Sequence, residues 1–208
     1  FYLNAFQFIS VPKILLFTIF TPIYVSLISN LFEKKIQKVF LLLSLFSVFG
    51  SLIIRITEFG FLDIKGFILI QFANLSFALG QVLYRRYIKK ESEIDYNLSE
   101  FAYFYFGAII IAYLGSFIMV DSLTYPKSLI EWLLVFWLGA IASGLGYYLW
   151  NRGATSVSNG TLAVMNNLVI PLGLFIEIIF FSKSINTGTY LIGTLIIISS
   201  IYFSYKKN

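Results

Sequence analysis

Residues 153–176 read GATSVSNGTLAVMNNLVIPLGLFI, a run without a single Asp, Glu, Lys or Arg. A helix needs about 20 mostly apolar residues to cross a bilayer, so this stretch is long enough to span one. Its neighbours repeat the pattern: residues 14–32, 39–54, 66–84, 101–120, 132–151 and 184–205 are also free of charge. A membrane β-barrel would instead alternate apolar and polar residues in segments of about 10. Ile109-Ile110-Ile111 and Leu195-Ile196-Ile197-Ile198 do not alternate. With the shorter run 1–12 the expectation is an all-α membrane protein, a bundle of about eight helical segments.

Composition narrows the chemistry. Hydrophobic residues make up 59% of the chain and charged residues 12%, about half the ~25% charged content of soluble domains. The chain holds neither His nor Cys. That excludes disulfides, ordinary zinc or iron–sulfur sites, a Cys nucleophile and a His-based triad. No metal and no cofactor is expected, and no catalysis. The glycines of residues 139–146 lie in an apolar helix with no Lys-Ser or Lys-Thr after them, so they form no phosphate loop.

The net charge of +5 is read as loop asymmetry at a bilayer, not as a nucleic-acid surface. Loops fall alternately on the two sides. One side collects ten of the 15 Lys and Arg, among them Lys34, Arg85, Arg152 and Lys206. The other holds Lys13, Arg55, Lys65, Lys127 and Lys183. The positive-inside rule then places the C-terminus in the cytoplasm. Glu91, Glu93 and Asp95 read as a solvated linker. Residues 1–12 begin without Met, and no basic segment precedes them as in a signal peptide. They are expected to be the tail of a helix whose beginning is lost.

An internal repeat organises the rest. At an offset of 146, Phe1-Tyr2-Leu3 meets Tyr147-Tyr148-Leu149 and Ser10-Val11 meets Ser156-Val157. With a three-residue insertion, Thr21-Pro22 meets Ile170-Pro171, each pair late in a long apolar helix. The part of the second half before Tyr147 starts near Lys65 and has no counterpart, leaving room for two more helices. The expected intact form has ten helices as two inverted five-helix repeats, an arrangement used by alternating-access carriers. Residues 1–62 would be the remainder of the first repeat and 63–208 the second.

Gly144-Leu145-Gly146-Tyr147-Tyr148-Leu149-Trp150-Asn151, followed by Ala154, residues 158–161 and Pro171, resembles the penultimate helix pair of the EamA family in the drug/metabolite transporter superfamily. Phe77-Ala78-Leu79-Gly80 with Arg85-Arg86 is similar to the start of the family's second repeat, and residues 193–200 to its last helix. Residues 1–22, 71–80 and 142–167 look most like bacterial biotin transporters and carboxylate, amino-acid and amine carriers. One departure is Phe181-Ser182-Lys183, where the family often has a Leu-Gly-Glu type turn. The resemblance implies a multi-pass transporter of the bacterial inner membrane, with a small-molecule solute and the lipid bilayer as its partners. Its best-guess solute is biotin, with an amino acid, amine or carboxylate as the alternative.

Polar groups at membrane depth are the default site candidates, because burying them without a partner is costly. Gln71, Asn74, Gln81 and Arg85 share one helix face at about 100° per residue, with Ala78 in the gap. Asn166 and Asn167 precede Pro171, which removes a backbone donor and frees the Asn167 carbonyl. Asn4 and Gln7 lie one turn apart in the first half, and Pro22 mirrors Pro171 as a helix break. Tyr147 adds a hydroxyl. These residues are candidates to line a solute cavity; the competing use is to bond other helices or a kinked backbone. Glu177, a carboxylate within an apolar stretch, is the candidate coupling residue, set against simple snorkelling to the nearby surface. The stripes Gly139, Ser143, Gly146 and Ala108, Ala112, Gly115 are expected to let helices approach closely. Two other classes remain beside the carrier: an enzyme on lipid substrates, which would need clustered acidic or His residues, and a non-transporting membrane scaffold.

Overall fold

The structure is a computed structural model and describes residues 1–55, 64–90, 98–119, 125–182 and 184–207. Among them helix is the only regular secondary structure. The order is α1 (Tyr2–Ala5), α2 (Val11–Thr18), α3 (Thr21–Glu33), α4 (Lys38–Ile54), α5 (Ile64–Lys90), α6 (Leu98–Met119), α7 (Leu129–Phe136), a π-helical stretch (Trp137–Leu145), α8 (Gly146–Thr155), α9 (Asn159–Met165), a 3-10 turn (Asn166–Leu168), α10 (Val169–Phe181) and α11 (Thr187–Lys206). Joining the contiguous pieces gives eight helical segments, as the apolar runs predict. Five of them are long and apolar enough to cross a membrane: Val11–Glu33, Ile64–Ile88, Leu129–Thr155, Asn159–Phe181 and Thr187–Lys206. The acidic residues Glu91, Glu93 and Asp95, and Lys183, lie outside the described residues.

Capping chemistry corrects one boundary. The boundary that the charge-free runs put at Arg152 is helical, and the chain turns instead at residues 156–158. There Ser158 Oγ accepts the Thr161 N–H at 3.1 Å and starts α9, the role for which a short side-chain acceptor is favoured. Asn186 caps α11 in the same way through the Thr189 N–H at 3.2 Å. At the other ends, Lys34 and Ser182 take the left-handed conformation that closes α3 and α10, with φ of 51° and 49°.

The chain divides into two compact units. The first joins residues 1–84 to 157–208. In it α4 pairs with α11, and α3 lies against both α4 and α9. The α4–α11 crossing is set by two glycines: a Cβ on Gly50 would stand 2.8 Å from the Gly193 carbonyl oxygen, and one on Gly193 would overlap the Gly50 carbonyl. Apolar side chains from α2, α4, α5, α10 and α11 meet in one core, with Phe17, Ile54, Ile70, Ile170, Leu174 and Ile197 among its members. A smaller cluster joins Val25 and Ile28 of α3 to Ala78 and Val82 of α5 and Ala163 of α9. Buried serines mark where α4 meets its neighbours: Ser44 Oγ shares a 2.6 Å hydrogen bond with Ser26 of α3, and Ser47 Oγ donates to the Val164 carbonyl at 3.4 Å.

The second unit, residues 85–156, carries α6 and the long helix Leu129–Thr155. Phe101 of α6 packs edge-on against Tyr148 at 5.6 Å. The Tyr105 hydroxyl donates to the carbonyls of Ser143 and Gly144, at 2.5 and 3.1 Å. Those carbonyls belong to the π-helical stretch. The small-residue stripes here meet a neighbouring helix only in part: Ser143 lies against Tyr105, but its stripe-mate Gly139 and Gly115 of the other stripe do not face a close neighbour among the described residues. A Cβ at Gly139 or Gly115 would meet nothing within 4 Å among the described residues. Periodic spacing identifies a face that permits close approach, but the neighbour has to be there.

Candidate functional site: two broken helices laced by amides

The Val11–Glu33 span is interrupted between α2 and α3. Pro22 has no N–H to give to the Thr18 carbonyl, and the Thr21 hydroxyl donates to it instead at 2.7 Å. The ladder tightens here: Ile19 N bonds to Leu16 O and Ile23 N to Phe20 O, each three residues back. The carbonyls of Phe17 and Ile19 are taken by side chains of other helices. Phe17 O accepts Asn74 Nδ2 at 2.9 Å and Gln71 Nε2 at 3.2 Å. Ile19 O accepts Asn167 Nδ2 at 3.1 Å.

Asn167 sits in the second interruption, the 3-10 turn between α9 and α10, four residues before Pro171. Each break therefore lies just ahead of a proline, and the Asn167 amide ties one break to the other. Beside it, Asn166 and Gln81 exchange two hydrogen bonds: Gln81 Nε2 donates to Asn166 Oδ1 at 3.1 Å and Asn166 Nδ2 to Gln81 Oε1 at 3.0 Å. Asn166 Nδ2 also reaches the Leu162 carbonyl at 3.0 Å. Helix α5 thus serves both breaks from one face, Gln71 and Asn74 at the first and Gln81 at the second. Asn74, Ala78, Gln81 and Arg85 are buried along that face, and Gln71 is half-buried.

Other residues singled out from the sequence fall elsewhere. Asn4 is half-buried in the four-residue α1 and Gln7 is exposed just after it. Among the described residues no hydrogen bond joins either to the amides. Tyr147 belongs to the second unit, where its carbonyl accepts Asn151 Nδ2 at 2.8 Å. Glu177 does not simply snorkel: its Oε1 accepts Arg55 Nη2 at 3.1 Å, linking α10 to the end of α4. Arg55, counted among the loop cations, ends α4 and is 1% exposed.

Four participants escape a reading by residue type. Tyr24 donates its hydroxyl to Gln71 Oε1 at 3.1 Å; a Tyr in an apolar helix carries no signal apart from its neighbours. The Phe17 and Ile19 carbonyls are backbone, visible only through the Thr21-Pro22 break. Arg55 had a usable sign, since it stands between Ile54 and Ile56 with no polar neighbour.

The site offers carboxamide donors and acceptors, one phenol and backbone carbonyls, which suit hydrogen bonding to a neutral polar group. No group of three or more metal-ligating or acidic side chains converges among the described residues.

The fold and its paired helix breaks define a multi-pass integral membrane protein. Residues 64–206 match the EamA-like transporter family, and the chain belongs to it. A probable biotin transporter of Pseudomonas aeruginosa is 35% identical over 95% of this chain and 69% of its own length. The biotin transporter of Escherichia coli K12 is 33% identical over 98% of this chain and 68% of its own length. A solved crystal structure with 16% identity superposes with a TM-score of 0.78, covering 99% of this chain and 70% of that one; it supports the helical fold.

Proposed function

We propose that the protein is a secondary carrier that moves biotin across the bacterial inner membrane by alternating access, with its C-terminus in the cytoplasm. Residues 1–62 belong to the first repeat and 63–208 to the second. The observation that carries this reading is the pair of proline-led helix breaks joined through Asn167 and served by amides of α5. Discontinuous helices at mid-membrane are where carriers of this general kind hold solutes. Gln71, Asn74, Gln81, Asn166 and Asn167 are the solute ligands, with Asn4 and Gln7 as further contributors and Glu177 as the coupling group. The names of the relatives favour biotin, whose ureido ring presents the donors and acceptor that such amides match. The test is reconstitution of the full-length protein in liposomes with labelled biotin, and amino acids as competitors. Saturable biotin uptake that amino acids leave unchanged is expected. Uptake of amino acids without biotin would replace the solute, and no saturable uptake of any solute would end the carrier reading.

A further inference from the structure

The Arg55–Glu177 pair is left over once the amides are assigned. A guanidinium 1% exposed in a membrane protein is costly unless paired, and its planar fork matches carboxylates whatever molecule carries them. The pair is asymmetric: Arg55 is enclosed, whereas the Glu177 side chain is 23% exposed. The anionic partner is thus the one on the open side, where another carboxylate can take its place. The same face of the helix leads there from the amides. Asn167, Ile170, Leu174 and Glu177 are spaced by three, four and three residues and share one stripe. Ile170 and Leu174 pack with Ile54, the residue before Arg55.

We infer that Arg55 is the subsite for the carboxylate of an anionic solute, and that Glu177 fills this subsite in the conformation described here. This rests on the carrier reading and extends it: the amides take the neutral polar end, and Arg55 takes the acid. On binding, the solute carboxylate replaces Glu177 as the acceptor of the Arg55 N–H.

The experiment is equilibrium binding of labelled biotin to the purified full-length protein, with biotinamide as an uncharged competitor of nearly the same shape. Wild type should bind biotin at least about tenfold more tightly than biotinamide, as expected of a charge-assisted hydrogen bond. Arg55→Gln should weaken biotin by about that factor, leave the biotinamide constant in place and so abolish the preference. Glu177→Gln should tighten biotin, because the resident carboxylate is gone. Should Arg55→Gln fail to fold, Arg55→Lys keeps a charge without the fork and should retain only part of the preference. Equal wild-type affinity for the two ligands would overturn the subsite while leaving the carrier reading intact. So would an equal loss for both ligands in Arg55→Gln, or a Glu177→Gln variant that binds biotin more weakly, since each is what a structural staple gives. Wild type with no saturable biotin binding would instead sink the solute assignment beneath it.

Discussion

Replacing Gly50 by Ala tests the α4–α11 contact in the first unit. The new Cβ would stand 2.8 Å from the Gly193 carbonyl oxygen and 3.0 Å from Ile196 Cγ2. Ordinary contact begins at 3.4 Å, so α4 and α11 must part by about 0.6 Å, and the nearer obstacle is backbone that cannot rotate away. Such overpacking costs about 1–3 kcal/mol. Against it stands the helix preference of Ala over Gly, up to about 1 kcal/mol. Gly80 of α5 supplies the control, since a Cβ there meets nothing within 4 Å among the described residues. Both glycines lie inside helices, so the propensity gain cancels between Gly50→Ala and Gly80→Ala, leaving the steric cost of about 1–3 kcal/mol. Gly193→Ala should be worse, because its Cβ would also lie 2.5 Å from Ile54 Cγ1. The double variant should cost less than the two singles together, since one parting of the helices relieves both clashes. Unfolding in mixed micelles with rising SDS measures the differences on full-length protein. A Gly50→Ala variant within about 0.5 kcal/mol of Gly80→Ala would refute the crossing described here.

Three further expectations follow from the amide network and the helix ends. Asn167→Leu leaves the Ile19 carbonyl without its donor; with membrane hydrogen bonds averaging about 0.6 kcal/mol and an orphaned buried acceptor costing about 1–3, a loss of about 1 kcal/mol in the same SDS titration is expected, and no loss would mean the breaks are not joined. Gln81→Leu and Asn166→Leu should each destabilise, whereas the double variant should recover part of the sum because the two amides are each other's main partner; strict additivity counts against the pair. Ser182→Gly should stabilise α10 by up to about 1 kcal/mol by relieving a left-handed residue, read as a shift in the same unfolding curve, and a destabilised variant would place the helix end elsewhere.

The spans were legible because hydrocarbon tolerates few charges: the runs between Asp, Glu, Lys and Arg nearly delimit the helices. The exception at residues 151–158 has a physical reason. Gly153, Ser156 and Ser158 are weak helix formers, yet a new helix starts where an N-cap can be made, and that is Ser158. The face carrying Gln71, Asn74, Gln81 and Arg85 was legible because 3.6-residue periodicity fixes it whatever the partner. Which partner each residue finds depends on pairings far apart in sequence, such as Asn167 with Ile19 or Arg55 with Glu177, and no local pattern encodes them. Arg55 shows the limit of counting charges to assign loops: the tally takes a cation one residue beyond an apolar run as exposed, while a carboxylate far along the chain holds it inside.

The network also bears on how a solute would be held under the carrier reading. Asn74 and Asn167 already spend their donors on the carbonyls of Phe17 and Ile19, so a solute cannot simply add bonds to waiting groups. It has to exchange with them. A ureido group suits that exchange, since its carbonyl can accept the side-chain N–H groups while its own N–H groups take over the carbonyls they release. Donors and acceptors then remain matched before and after, and no buried group is orphaned along the way, where each would cost about 1–3 kcal/mol. A solute with acceptors alone would satisfy Asn74 and Asn167 but strand Ile19 O and leave Phe17 O with Gln71 alone. The breaks would therefore select for solutes that both donate and accept in one rigid group. The exchange would also be shallow: at about 0.6 kcal/mol each, the amide bonds that a solute would replace cost little to break.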